Sequence, residues 1–130
     1  MAKITIIKND ATVVVDGYGK SSVDMSGLPS NLWAVEFDST ANTGHIEFND
    51  GTANETITSL TSAMEAVVKV NTDAKTTEDA EIAAIKASYK FKREQEYPAI
   101  GDQLDNLYHA GAFDDTMTAT IKAVKDKYPK

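Results

Sequence analysis

At 130 residues the chain is long enough for one domain with a modest core, or for a small domain with an appendage. Its formal net charge of −7 argues against nucleic acid as a partner, because phosphate binding needs clustered lysine and arginine. The absence of cysteine excludes disulfides and thiolate metal sites and fits assembly in a reducing cytoplasm. No stretch approaches the ~18 apolar residues of a membrane helix, and the N-terminus lacks a signal-peptide apolar region. We therefore expect a soluble protein without a membrane partner.

The first half of the chain has the pattern of an antiparallel β-sheet. Short β-branched or alternating runs with turn signals between them predict about four strands, at residues 4–7, 12–15, 32–37 and 46–48. The glycine-containing stretch 17–30 is predicted as a loop. Because alternate residues of a strand point the same way, Trp33, Val35 and Phe37 are expected on one face, with Trp33 in the core.

The second half has the 3.6-residue periodicity of helices, so the fold class is α+β. A first helix is predicted after a Ser or Thr cap at positions 58–59, with a break at residues 71–76. A long helix then runs from Thr76 or Thr77 to about Gln95. We therefore divide the chain into a β-rich domain that closes with a helix, a long helical arm and a C-terminal helical hairpin: residues 1–71, 72–96 and 97–130.

The hairpin is predicted from its own start and stop signals. Pro98 is suited to a first helical turn, Gly111 to the end of that helix, and Asp114 or Asp115 to the cap of the next. The apolar side chains of the two helices recur at helical spacing. We expect their inner faces to pack on each other, through Ile100, Leu104 and Leu107 on one helix and Met117, Ile121 and Val124 on the other.

Motifs that carry chemistry are weak in this sequence. Residues 17–22 contain the Gly-Lys-Ser end of a phosphate-binding loop, but the glycine required five residues before Gly19 is replaced by Val14, and no helix is predicted to follow. His45 and His109 lie in different predicted elements and lack the spacing of a zinc site. We expect no catalytic residue, no cofactor, no metal site and no enzymatic activity.

The C-terminal third carries a resemblance to a known class of proteins. Residues 97–109 read YPAIGDQLDNLYH, and residues 121–130 read IKAVKDKYPK. Together they resemble the C-terminal module of small tail-region proteins of tailed bacteriophages. A fainter similarity to small proteins encoded near phage tail-fibre genes covers residues 24–37, 44–48 and 57–60. Relatives often have an apolar residue or alanine where this chain has Asn106.

The resemblance implies a structural virion protein in the tail, baseplate or tail-fibre attachment region, assembled in the host bacterial cytoplasm. Two alternatives remain open at this point. One is a tail-fibre assembly chaperone that is absent from the mature particle, and the other is a capsid decoration protein. The implied partners are other phage tail or fibre proteins.

We also expect a homo-oligomer, because the long helix carries more apolar surface than a small sheet can cover and because of the phage resemblance. That resemblance implies a trimer as the favoured assembly, since symmetric virion tails commonly have threefold or sixfold partners. The residues expected to contact a partner are polar and aromatic side chains of the helical region, since such side chains suit interfaces that are both desolvated and specific. They are Phe91, Tyr97, Asp102, Gln103, Asp105, Tyr108 and His109. The competing interpretation is that Tyr97 and Tyr108 complete the hairpin core.

Overall fold

The computed structural model describes residues 2–130 and confirms an α+β fold, in which an antiparallel sheet precedes a long helix and further helices. The described chain forms two compact units, which we call the sheet unit (to Asp79) and the helical unit (Ala80–Lys130). The strands are β1 (Lys3–Ile7), β2 (Thr12–Val15), β3 (Tyr18–Lys20), β4 (Leu32–Asp38), β5 (Thr43–Phe48) and β6 (Glu55–Ile57). The helices are α1 (Ser62–Ala87), α2 (Tyr89–Glu96), α3 (Ile100–Ala110) and α4 (Asp115–Lys127).

Over the described residues the sheet has six strands rather than about four, in the order β3-β2-β1-β4-β5-β6, with every neighbouring pair antiparallel. The two strands that the sequence did not predict are the edge strands β3 and β6. Each has three residues, and Tyr18–Lys20 lies in the stretch that was predicted as loop. A strand of three residues is too short to show the alternating pattern over four to eight residues that identifies a strand in a sequence.

The core of the sheet unit lies between the sheet and the first turns of α1. The strands contribute Ile6, Val13 and Val35, while Met64 and Val67 of α1 pack against them. The loop before β4 also supplies buried apolar side chains, namely Val23, Met25 and Leu28. This segment was predicted only as a loop, because three apolar residues without a regular period give no helix or strand signal.

The predicted position of Trp33 in the core is wrong. β4 contains a bulge between Leu32 and Ala34, which pair with Phe48 and Glu47 on β5, so that Trp33 is the extra residue. The bulge shifts the alternation by one position, and it is Leu32, not Trp33, that is fully buried along with Val35. Trp33 is 47% exposed.

We expect Trp33→Ala to destabilise the protein by about 1–2 kcal/mol, because only part of the ring leaves water on folding. Leu32→Ala in the neighbouring, fully buried position is the matched comparison and should cost about 2–5 kcal/mol. Denaturant unfolding of both variants, followed by far-UV circular dichroism, measures the difference. An equal loss from the two substitutions would show that the indole contributes to the core after all.

The helix break predicted at residues 71–76 is also wrong, because α1 is continuous from Ser62 to Ala87. The Asn71 side chain is buried and its Nδ2 donates to the carbonyl oxygens of Val13 (3.0 Å) and Tyr18 (2.8 Å). A hydrogen bond with Glu78 is the main cause that raises the pKa of the Tyr18 hydroxyl above its ordinary 10.0. Asn71, the first residue of the predicted break, therefore attaches α1 to the edge of the sheet together with Glu78.

The true interruption of the helical segment lies at Ser88, inside the predicted long helix. The Ser88 hydroxyl donates to the Ile85 carbonyl (2.6 Å) and accepts the Phe91 amide (3.2 Å), which ends α1 and caps α2. Serine side chains compete with backbone groups for hydrogen bonds, so they favour such ends over helix interiors. The start of α1 is also later than predicted, since Thr61 accepts the Met64 amide and Leu60 precedes the helix.

Candidate interaction surface of the helical unit

The helical unit is built on local capping signals. The turn at Tyr97 and Pro98 ends α2, and α3 begins at Ile100 and ends at Gly111, whose left-handed φ of 69° suits glycine. The Asp114 carboxylate accepts the Met117 amide at 2.7 Å and begins α4. That hydrogen bond, together with one from Asn106, lowers the pKa of Asp114 below its ordinary value. Gly111 and Asp114 take their predicted roles, whereas Pro98 precedes the cap residue Ala99 and lies outside α3 instead of in its first turn.

Asn106 has a role that sequence reasoning missed. Its Nδ2 donates to the Asp114 carboxylate (2.9 Å), and its Oδ1 accepts the Asp114 backbone amide (3.2 Å). The amide side chain therefore joins α3 to the first turn of α4 through two hydrogen bonds. A side chain that both donates and accepts is needed for this pair of bonds, which explains a polar residue at this position.

The end of α4 is held against α2 by a group of hydrogen bonds and an ion pair. Lys127 Nζ and the Tyr128 hydroxyl both lie 2.6 Å from Glu96 Oε1. Arg93 Nε donates to the Tyr128 carbonyl at 2.8 Å. The Lys127 hydrogen bond, followed by that from Tyr128, lowers the pKa of Glu96, and the Glu96 hydrogen bond raises the pKa of Lys127. We call these four residues the α2–α4 clamp.

The clamp should depend on pH. A carboxyl whose pKa is lowered by folding stabilises the fold above its unfolded pKa, and this stabilisation is lost as the pH falls through the folded value. Lys127 has a raised pKa, so the stabilisation that it contributes is present below its ordinary pKa of 10.5. That stabilisation is lost as the pH rises through the higher pKa of the folded state. We expect hydrogen exchange of the Tyr128 amide, corrected for intrinsic rates, to be slow near neutral pH and to accelerate once the pH has fallen below the ordinary glutamate pKa of 4.5. Glu96→Gln should remove this pH dependence, and a variant that retains it would contradict the assignment.

The apolar side chains of the predicted hairpin do not form the expected common core. On α3, Ile100 is 70% exposed, Leu104 59% and Leu107 40%, so the prediction that they pack on α4 is wrong. Tyr108 is 84% exposed and does not complete such a core either. The spacing i, i+4, i+7 and i+8 still places these four side chains on one face of the helix. We call this face the α3 line.

The predicted contact residues fall into two groups. Asp102, Asp105, Tyr108 and His109 are exposed on α3. His109 Nε2 lies 3.3 Å from Asp105 Oδ1, and the His109 and Tyr108 rings meet edge to face at 5.3 Å. The other three, Phe91, Tyr97 and Gln103, are half-buried.

Two grooves of the helical unit involve the half-buried group. One, of about 600 Å³, contains Tyr97 and Gln103 among its walls, and the Gln103 amide donates to the Pro98 carbonyl at 2.7 Å. The other lies where α1 meets α2 and is lined by Ala84, Ile85, Ser88, Lys90, Phe91 and Glu94. We call the second one the junction groove. Sequence reasoning named Phe91 but could not have found the groove, which exists because the helix is interrupted at Ser88.

In the sheet unit, polar side chains also meet across strands. His45 Nε2 lies 3.3 Å from Glu47 Oε1 and 3.9 Å from Glu36 Oε2. Asp50, after β5, accepts hydrogen bonds from Thr52 and Asn31, which lower its pKa to about 2. These contacts tie turns and neighbouring strands together within the sheet unit.

Comparison with known proteins gave no relative. No protein-family model, no curated protein and no solved structure matches the chain. In the part of the chain that the structure describes, no helix is long and apolar enough to cross a membrane. Residues 2–130 also contain no group of three or more His, Asp or Glu side chains placed to hold a metal ion.

Proposed function

We propose that this protein is a structural component of a tailed-phage virion, in the tail, baseplate or tail-fibre attachment region, and that it acts by docking to other proteins. The resemblance of residues 97–109 and 121–130 to tail-region modules supports the location. The observation that carries the docking role is the exposure of the α3 line, because apolar side chains grouped on one helix face and left in water mark interaction sites.

The helical unit supplies the contacts in this proposal. Tyr108, with its exposed ring, and the neighbouring Asp105–His109 pair combine apolar surface with hydrogen-bonding groups. Aromatic residues of this kind are enriched among the side chains that dominate binding energy. The partners are other tail or fibre proteins together with further copies of this chain, and we expect a trimer.

Copy number in purified mature particles tests the location. We expect tens of copies per particle, as befits a tail or baseplate component. A count near zero would instead identify an assembly chaperone, and a count in the hundreds would identify a capsid decoration protein. Quantitative mass spectrometry of virions, calibrated on the major capsid protein, gives this number.

Truncation tests the docking element. A chain that ends at Glu96 lacks α3, α4 and the Lys127 and Tyr128 part of the clamp, and we expect it to be absent from particles. Its sheet unit retains the whole apolar cluster between the strands and α1, so the truncated protein should still fold there. The fluorescence of Trp33, the single tryptophan, reports on that folding. Incorporation of the truncated chain at normal copy number would assign the attachment to the sheet unit instead.

A further inference from the structure

The helical unit has little core of its own. Among residues 80–130 the buried apolar side chain is Val124, whereas seven large apolar side chains are exposed. They are Ile82, Ile85, Ile100, Leu104, Leu107, Tyr108 and Phe113. Together they expose on the order of 800 Å², which is the area that each partner contributes to a specific interface of standard size. Because a contact surface of that size is only a little over half apolar, the exposed apolar area of the unit is of the order that two such surfaces need.

The C-terminal half of α1 also exposes apolar side chains that another surface could cover. No described side chain from Lys75 to Ala87 is buried or half-buried, although Ile82 and Ile85 lie in this stretch. Helical segments of this length are marginal in water unless one face packs on something, because most helix stability in proteins comes from tertiary contacts. The junction groove, which includes Ile85 and Phe91, lies at the end of this segment.

The distribution of charge favours a second copy of the chain as the occupant. The sheet unit contains five basic and twelve acidic residues and so carries the whole net charge of −7. The helical unit contains eight of each and is neutral, so its copies can approach without net repulsion.

Within the neutral unit the charges are segregated. Residues 86–94, at the junction of α1 and α2, hold four basic side chains and one acidic side chain, and Lys90 and Glu94 are the two of these that line the junction groove. The charged side chains of α3 are Asp102 and Asp105, with His109 beside the latter. The α3 line and the junction groove are thus apolar surfaces with neighbouring charges of opposite sign, which is the complementarity that sets the register of an interface.

We propose that the α3 line of one copy docks into the junction groove of the next copy. Leu104 and Tyr108 then cover Ile85 and Phe91, and Asp105 faces Lys90. Because the two surfaces differ, the contact is head to tail and closes into a ring when the rotation between copies allows it. The ring of three is the trimer proposed above and rests on that proposed function. The pairing of the two surfaces concerns the purified chain and is tested independently of the virion role, which particle copy number tests.

Sedimentation of the full-length protein over a wide concentration range tests the self-association. We expect a concentration-dependent trimer that Leu104→Asp weakens at least about thirtyfold, since a charge would enter the centre of the interface. Ala119→Asp, on the exposed surface of α4, is the matched control and should leave assembly unchanged. Tyr108→Ala supplies a second disruptive variant that cannot harm the fold of the monomer, because its ring is exposed there. A wild-type protein that stays monomeric throughout, or a trimer that both α3 variants leave intact, would overturn the proposal.

A charge reversal tests which surfaces meet. Asp105→Lys and Lys90→Glu should each weaken the trimer, by about three- to tenfold at low salt, and the double variant should recover most of the loss. Mixing the two single variants is a further test. In a mixed ring, the introduced Lys at position 105 of one copy can face the introduced Glu at position 90 of the next copy, so the mixture should associate more tightly than either variant alone. Additive loss in the double variant would show that α3 docks elsewhere and would overturn the pairing.

Discussion

Gly44→Ala should unfold the sheet unit or destabilise it by at least about 3 kcal/mol. Gly44 lies in β5 directly opposite Phe37 of β4 and beside Ile57 of β6. A Cβ atom at this position would lie 2.8 Å from both Cα and Cδ2 of Phe37, and closer still to the Glu36 carbonyl oxygen. Two of these three atoms belong to the backbone, so a rotamer change cannot remove the clash. The strands would have to separate or the buried Phe37 ring would have to leave the core.

The same substitution at Gly101 is the matched control. This glycine lies in α3, where an added Cβ meets no atom within 4 Å. Alanine is the better helix former by about 1 kcal/mol, so Gly101→Ala should stabilise the helical unit slightly. Trp33 fluorescence follows the sheet unit and far-UV circular dichroism follows the helices during thermal unfolding. A Gly44→Ala protein with an unchanged melting temperature would mean that β4 and β5 can move apart at little cost.

Asn71→Leu should also have a large effect, a loss of about 2–4 kcal/mol. Leucine keeps the branched outline of asparagine and is somewhat larger, so the change removes the two hydrogen bonds without leaving a cavity. The Val13 and Tyr18 carbonyl oxygens, at 3.0 and 2.8 Å from Nδ2, would then lose their side-chain donor where α1 covers the sheet. A buried acceptor left without a partner costs more than the net gain from forming the bond.

The neighbouring residue provides the control for Asn71→Leu. Thr72 is exposed, and Thr72→Leu places the same side chain one position further along α1 with an expected change within about 0.5 kcal/mol. Urea unfolding monitored by Trp33 fluorescence compares the two variants. Equal stability of the two proteins would show that water replaces the lost donor and that the helix is held by its apolar contacts alone.

The sequence predicted those strands and helices of this protein that depend on neighbouring residues alone. The four longer strands follow from β-branched and alternating runs. The end of α3 and the start of α4 follow from Gly111 and Asp114, whose conformational and capping preferences act over a few residues. The α+β order of the chain follows from the change of hydrophobic period between its halves. Each of these signals is contained within a short run of consecutive residues.

Features that depend on contacts between distant parts of the chain became visible only in the tertiary structure. The bulge at Trp33 depends on the pairing of β4 with β5, and it reverses the side to which the tryptophan points. Asn71 looked like a helix breaker because its two carbonyl partners lie more than fifty residues away.

The same limit applies to the α3 line. Its spacing established that Ile100, Leu104 and Leu107 share a face, whereas the exposure of that face is a property of the folded chain. Periodicity tells which side chains share one face, because it reflects the geometry of one element. It does not tell which surface they meet, because that surface belongs to another element.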